Sequence, residues 1–124
     1  MNTVDDRVGG GPVNAAIANE VVRLVADFTG RGATKSRAFI DHDVVVCLLE
    51  DGATKTERNL VAVGRDDLVR AQRDAVQRAM EDQLVAAVER LTGRAVRNFL
   101  SGTSTLGDSS VEVFVLEPGS SAAT

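Results

Sequence analysis

The apolar residues near the start of the chain recur every three or four positions. This spacing places them on one face of a helix and predicts a helix from Val13 to Phe28. The apolar stripe consists of Ile17, Val21, Leu24, Val25 and Phe28. Asn14 is a candidate N-cap, because its side chain can bind the first free amides of the helix. Thr29 and Gly30 follow, and such a glycine is typical of a helix end because it adopts the left-handed conformation without strain.

Two segments with the pattern of β-strands come next. In the first, Ser36, Ala38 and Ile40 fall on one face and Lys35, Arg37 and Phe39 on the other. The second, VVVCLLE at 44–50, consists mainly of β-branched and aliphatic residues, which favour strands. The sequence DHD at 41–43 supplies a turn, so the two segments are predicted to form a hairpin.

A short helix is predicted in the middle of the chain. Thr54 and Glu57 have the spacing of a capping box, in which each side chain binds the backbone amide of the other residue. The helix is expected to run to about Val63, where Gly64 interrupts it.

A long helix follows, capped by Asp66 or Asp67 and running to Leu91. Its apolar stripe consists of Val69, Val76, Met80, Leu84, Val88 and Leu91. At 1.5 Å per residue the helix is about 38 Å long, whereas a domain of this size is about 35 Å across. The N-terminal half of the helix is therefore expected to overhang, and an uncovered apolar stripe there predicts a homodimer.

The second half of the chain repeats the pattern of the first. VADFTGRG at 25–32 matches VERLTGRA at 88–95, and VVVCLLEDG at 44–52 matches VEVFVLEPG at 111–119. In VEVFVLE the valines Val111, Val113 and Val115 alternate with Glu112 and Phe114, which indicates a second hairpin. Each half thus has the order helix, Thr-Gly stop, strand, turn, strand, and we interpret this as an internal duplication.

The predicted fold class is α+β. Two pseudo-symmetric αββ units form a four-stranded, mostly antiparallel sheet, with helices, including the long one, on one face. Residues 1–12 are expected to be a flexible N-terminal arm, 13–118 a single domain and 119–124 a disordered tail.

The composition of the chain argues against several classes of function. The chain has 124 residues and a net charge of −4, and this acidity argues against sequence-independent binding of nucleic acid. The longest apolar run, VVVCLL, has six residues, against about 20 for a membrane-spanning helix, so no membrane insertion is expected. The acidic start lacks the apolar region of a secretory signal, and a cytoplasmic location fits.

The sequence offers few catalytic candidates. Cys47, the only cysteine, lies mid-strand among apolar residues and is interpreted as an inert core thiol. His42 lies between Asp41 and Asp43, and adjacent turn residues cannot all converge on one ion. A solvated turn is therefore expected, with a metal site completed across a dimer interface as the alternative. We predict no catalytic residue, no metal and no cofactor, and hence no enzyme.

Five basic residues follow the two Thr-Gly corners: Arg31, Lys35, Arg37, Arg94 and Arg97. Together they could bind an anion, a lipid headgroup or an acidic partner. The alternative, which we favour, is a solvated sheet edge or pairing with the abundant carboxylates of the chain.

The order and spacing of several short motifs resemble the MpsC family, named for a subunit of a sodium-translocating, membrane-potential-generating system. The likeness covers about Val13 to Pro118. It rests on GRG at 30–32, the hairpin with Asp43, the cap at Thr54 and Glu57, Arg73 in the long helix, and LTG at 91–93. The family commonly has proline at the position of Ala33.

This resemblance implies association with a membrane transport system involved in cation movement or bicarbonate supply, with ion passage in partner subunits. It implies no established catalytic residues. The expected function is a non-enzymatic accessory protein, cytoplasmic or peripheral at the inner face of the membrane, that docks its helical face or basic corners onto a partner such as a transporter subunit. The alternative is a regulatory module that binds a small anion or other ligand near the two corners.

Overall fold

The computed structural model describes residues 11–30 and 35–118. Within them the chain forms three helices and four strands in the following order: α1 Pro12–Thr29, β1 Lys35–Asp41, β2 Val44–Glu50, α2 Lys55–Ala62, α3 Asp66–Thr92, β3 Val96–Ser104 and β4 Ser109–Leu116. The strands form one sheet in the order β1-β2-β4-β3, and every neighbouring pair is antiparallel. The predicted α+β class and the four-stranded antiparallel sheet are confirmed.

Each half of the sheet is a hairpin that follows a helix, and the two hairpins meet where β2 pairs with β4. The short helix α2 lies between the two αββ units in the sequence. This arrangement is what a duplicated αββ unit would produce, although the duplication itself stays a prediction.

The two Thr-Gly corners are built from the same contacts. Gly30 and Gly93 have φ angles of 73° and 71°, in the left-handed region that favours glycine. Their amides bind the carbonyls of residues 26 and 89 at 2.8 and 2.9 Å. The hydroxyls of Thr29 and Thr92 each donate to the carbonyl four residues earlier, at 2.7 Å. The predicted helix ends are confirmed at both corners.

The core lies between the sheet and the pair formed by α1 and α3. Its fully buried members are Ile17, Val21, Val45, Cys47, Met80, Leu84, Val88, Phe114 and Leu116. The sheet contributes alternate residues, because successive side chains of a strand point to opposite faces. In β4 these are Phe114 and Leu116, and the Phe114 ring lies 5.1 Å from that of Phe99 in β3. Val111, Val113 and Val115 therefore face away from the helices.

The capping box of α2 is confirmed. The Glu57 amide donates to Thr54 Oγ1 at 3.1 Å, and the Thr54 amide donates to Glu57 Oε1 at 2.9 Å. The helix begins at Lys55, as this cap requires.

The caps predicted for the two longer helices are wrong. Helix α1 begins at Pro12 after Gly11. Asn14 instead lies within the helix, buried, and its Nδ2 donates to the carbonyl of Ala38 in β1 at 2.8 Å. Helix α3 begins at Asp66 with no side-chain cap. Its two aspartates lie in the first turn, where carboxylates favour the positive end of the helix dipole.

The expected overhang of the long helix is also wrong. Val69, near its N-terminus, is only 3% exposed, because α2 and the β3–β4 hairpin pack around this end. The Arg70 guanidinium reaches the carbonyl of Thr103 in β3 at 3.3 Å. The apolar stripe of α3 is thus covered within one chain, and it supplies no reason for dimerisation.

Helix α1 begins at Pro12, one residue before the start predicted at Val13. The predicted single domain at 13–118 stays a prediction. Residues 1–10 of the predicted arm and the predicted tail at 119–124 lie outside the described residues.

Candidate functional site

A small pocket opens between α1, α3 and the adjoining ends of β2 and β4. We call it the inner pocket, and its volume is about 60 Å³. Its walls are apolar and are formed by Val22, Val25, Leu49, Val76, Met80 and Leu84. Its polar groups come from α3, β4 and the turn before β4: Arg73, Gln77, Asp108, Ser110 and Glu112. An apolar cavity with a few converging polar groups is the usual form of a small-molecule site.

Glu112 is the most unusual residue of the inner pocket. It is in phase with Phe114 along β4, so it faces the helices and is only 3% exposed. One carboxylate oxygen, Oε2, accepts a hydrogen bond from Gln77 Nε2 at 3.2 Å. The other, Oε1, is buried and has no hydrogen-bond partner in the part of the chain that the structure describes.

The surroundings of Glu112 disfavour its charge. Burial raises the pKa of its carboxyl to about 7, and the hydrogen bond from Gln77 opposes this rise. The group therefore changes its protonation near neutral pH. When it is ionised, Oε1 is an unpaired acceptor that a ligand could satisfy.

Cys47 is directly opposite Glu112 in the sheet and is fully buried. Burial raises the pKa of its thiol to about 11, a nearby Ser36 hydroxyl at 3.6 Å lowers it, and the charge of Glu112 raises it. Little thiolate is therefore present at neutral pH, and thiolate is the reactive form. Its predicted burial in the core is confirmed.

An ion pair between Arg73 of α3 and Glu57 of α2 closes one end of the inner pocket. The guanidinium forms two hydrogen bonds with the carboxylate, at 3.1 and 3.0 Å. Both side chains are nearly buried, at 11% and 5% exposure. Arg73 also reaches Ser110 Oγ at 3.4 Å, with Asp108 Oδ1 at 4.0 Å. Glu57 therefore caps α2 and binds it to α3.

A larger, open groove lies on the other side of this ion pair. We call it the outer groove; its volume is about 370 Å³. Its apolar lining consists of Phe28 at the end of α1, Leu60 of α2 and Val76 of α3. Phe28 is 47% exposed. Arg73 and Val76 line both cavities.

Three of the five basic candidates are engaged within the chain. The Arg94 guanidinium binds the Asp43 carboxylate and donates to the carbonyls of residues 42 and 117 at 2.9 and 2.7 Å. Lys35 pairs with Asp51 at 3.3 Å, and Arg37 pairs with Glu50 at 3.5 Å. These contacts are the intramolecular pairing that we favoured.

The structure does not bring the two corners together. Lys35 begins β1, whereas Arg94 contacts the turn at the opposite end of that strand, about 20 Å away for a strand of this length. Arg97 is exposed on β3, and Arg31 lies outside the described residues. Binding of an anion by these residues stays a prediction.

The turn at His42 is exposed, as expected. Its ring lies 2.7 Å from the Asp41 carboxylate, and its side chain is 91% exposed. Among residues 11–30 and 35–118 no group of three histidine, cysteine or acidic side chains is placed to hold a metal ion.

Sequence reasoning missed the inner pocket. Glu57 and Arg73 are prominent in the sequence, but their contact joins residues that are 16 positions apart. A signal for Glu112 exists in VEVFVLE, where the glutamate is in phase with Phe114 and Leu116. A charged residue in phase with large apolar residues indicates a buried polar site when that face is the inner one.

No helix in the described part of the chain has the length and apolar character needed to cross a membrane. A family model described as Na+-translocating membrane potential-generating system (MpsC) matches residues 10–118, nearly the whole chain. No curated protein and no solved structure matches the chain.

Proposed function

Because the chain belongs to the MpsC family, we propose that it is a non-enzymatic accessory component of a Na+-translocating, membrane-potential-generating system. In this proposal it acts at the inner face of the membrane by docking to a partner protein of that system. The ion pathway is assigned to partner subunits.

The outer groove is the observation that carries the docking role. It is open, and it is lined by Phe28 at the end of α1, Leu60 of α2 and Val76 of α3. Grooves of this kind accept the apolar side chains of a partner helix or loop. Phe28 is a suitable anchor, because a half-exposed aromatic ring gains further burial on binding and aromatic residues are enriched among the residues that dominate interface energies.

The docking role can be tested by placing a charge in the groove. Cells that lack their own copy of this chain would receive the wild type, Phe28→Lys or Val63→Lys, and a potential-sensitive dye would report the membrane potential at defined Na+ gradients. Val63 is the matched control, because it is 72% exposed and does not line the outer groove.

We expect the wild type and Val63→Lys to restore the potential and Phe28→Lys to fail, with equal amounts of folded protein in all three. Full restoration by Phe28→Lys would show that the groove is not the docking surface. Failure of the wild type itself would contradict the role in membrane potential.

A second candidate function, a ligand-binding regulatory module, is favoured by Glu112 Oε1. Among the residues that the structure describes, the pocket around it is lined by two acidic residues, Asp108 and Glu112, and by one cation, Arg73, which is already paired with Glu57. This balance favours a neutral or cationic hydrogen-bond donor over an anion. The apolar walls suit a short alkyl chain, and the carboxylates suit an ammonium group. A small primary alkylammonium ion therefore fits the chemistry of the pocket best.

Thermal unfolding in the presence of methyl-, ethyl-, propyl- and butylammonium chloride tests this candidate, with sodium chloride as the salt control. A compound that binds the folded chain raises its melting temperature. We expect a rise for the wild type that disappears in Glu112→Gln, which keeps the shape of the side chain but removes its charge. Equal melting temperatures in all salts would contradict ammonium binding.

A further inference from the structure

The sheet has a second face, which the helices do not cover. We call it the outer sheet face. Its two central strands present aliphatic residues there except at one end, where Glu50 is opposite Ser109. The register pairs Val44 with Val115, Val46 with Val113 and Leu48 with Val111. Phe39 of β1 and Leu100 of β3 continue the apolar surface on either side.

This face is unusually apolar for the free side of an antiparallel sheet. Such sheets commonly bury one face and present polar residues on the other. Here the buried face contains Val45, Cys47 and Phe114, and yet the middle of the opposite face is also aliphatic. Leu100 is 51% exposed and Val44 36% exposed. A contiguous apolar patch of this kind marks an interaction surface.

We propose that the outer sheet face is the interface of a homodimer, in which a second copy of the chain packs face to face with the first. The two copies are related by a two-fold axis that lies in the interface and runs across the strands. The proposal goes beyond the docking role, because it uses the opposite side of the molecule. It stands whether or not the outer groove binds a partner.

The shape of the face is complementary to itself about this axis. The middle row of the sheet contains Ala38, Cys47, Glu112 and Ser101. A two-fold axis along that row turns the second copy end over end. A residue one position before the row in any strand then lies over the residue one position after the row in the same strand of the second copy. Leu100 then lies over Gly102 of the second copy, so that a protruding side chain meets a position without one. The same operation places Val46 over Leu48 and Val113 over Val111.

The charges at the two ends of β1 match in the same way. On the outer sheet face, β1 begins with Lys35 and ends with Asp41, with Arg37 and Phe39 between them. The axis places Lys35 of each copy over Asp41 of the other, which gives two opposite-charge contacts at the rim. It places Arg37, which is paired with Glu50 of its own chain, over Phe39 of the second copy. An axis parallel to the strands would leave Lys35 and Asp41 without a charged group opposite and would place Leu100 against Phe39. The perpendicular axis is therefore favoured.

The area available suits a dimer of modest affinity. Four strands spaced about 4.8 Å apart and seven residues long cover roughly 450 Å² of flat surface on each copy. Side chains corrugate this surface and increase the accessible area that would be buried. The interface therefore lies near the low end for stable complexes, about 600 Å² per partner. We expect a dimer that dissociates on dilution in the micromolar range.

Gly102 provides a sharp test, because the single chain has room for a side chain there. A Cβ at Gly102 would have Val111 Cγ1 as its nearest neighbour, at the ordinary contact distance of 3.8 Å. Gly102→Leu should therefore leave the folded single chain intact while colliding with Leu100 of the second copy. The double variant Leu100→Gly with Gly102→Leu exchanges the protrusion and the gap, and the same axis makes the two copies complementary again.

The measurement is the molar mass by light scattering over a dilution series of the full chain. We expect the wild type to rise to about 26 kDa, twice the 13.1 kDa of one chain. Gly102→Leu should weaken the dimer at least tenfold without lowering the melting temperature measured on dilute monomer, and the double variant should regain the dimer. Leu106→Gly, at a position 90% exposed in the β3–β4 turn, should dimerise as the wild type does.

A wild-type mass near 13 kDa at every concentration would overturn the proposal, and so would a Gly102→Leu chain that dimerises as tightly as the wild type. A double variant that stays monomeric while Leu106→Gly dimerises would overturn the proposed axis.

Discussion

Glu112 is an acidic residue in the core of the protein. It alternates with Val111 and Val113 along β4 and shares the inner face of the sheet with Phe114 and Leu116. Gln77 donates a hydrogen bond to its Oε2, whereas its Oε1 has no hydrogen-bond partner among the described residues.

The buried carboxyl has a predictable effect on stability. Its pKa is about 7 in the folded chain, against an ordinary value of 4.5, so the folded chain holds this proton more tightly than the unfolded chain does. The stability that Glu112 contributes is therefore fully present below pH 4.5 and is lost as the pH rises through 7. The loss is on the order of 3 kcal/mol at higher pH.

Urea unfolding of the wild type and Glu112→Gln across this pH range measures the effect. Glutamine cannot ionise, so the variant does not lose this stability as the pH rises. The free energy of unfolding of the variant minus that of the wild type should therefore increase by about 3 kcal/mol between pH 4.5 and 8. The other carboxylates are the same in both chains and cancel in the comparison. Parallel profiles for the two chains would show that Glu112 titrates as an exposed group does.

At the scale of the elements, local signals predicted local structure well. The capping box at Thr54 and Glu57 and the helix ends at Gly30 and Gly93 depend on residues within four positions of each other, and all three are confirmed. The cap assigned to Asn14 is wrong because its side chain binds another element. Asn14 binds β1, a contact between distant parts of the sequence that no local pattern reveals.

The ion pair of Glu57 and Arg73 joins two helices, and its loss should be costly. Arg73→Ala would remove both hydrogen bonds of this nearly buried pair, and breaking a buried pair in this way costs about 3–5 kcal/mol. Arg23→Ala is the matched control, because Arg23 pairs with Glu20 and Asp27 on an exposed face of α1. Exposed pairs contribute little.

Urea unfolding at pH 7 measures both variants. We expect a large fall in the free energy of unfolding for Arg73→Ala and almost none for Arg23→Ala. Equal and small effects would mean that water screens the Glu57–Arg73 pair as fully as an exposed one.

At the scale of the whole molecule, we propose two distinct surfaces of the fold for association. The outer groove opens among the helices, and the outer sheet face lies on the other side of the sheet. The sequence correctly predicted the sheet and the helices on one face, since periodicity and the repeated αββ order determine them. It predicted a dimer from an overhanging helix, and this premise is wrong because α2 and the β3–β4 hairpin cover Val69.

The positions of the basic residues show the same limit. Arg31 and Arg94 occupy equivalent places in the repeat, which suggested a shared site. The pairing of β2 with β4 instead places the two hairpin turns at opposite ends of the sheet, and Arg94 binds the turn of the other hairpin. Two hairpins that follow matching Thr-Gly corners thus have their turns at opposite ends of one sheet.

The central claim is that this member of the MpsC family docks to a subunit of a Na+-translocating membrane system through the outer groove. The most direct measurement is cross-linking in cells, with a photoreactive amino acid in place of Phe28 and, in a second chain, in place of Val63. Cross-linked products would be identified by mass spectrometry. We expect the probe at position 28 to capture an integral membrane subunit encoded with the transport system and the probe at position 63 not to capture it. Capture of that subunit equally from both positions, or from neither, would contradict the claim.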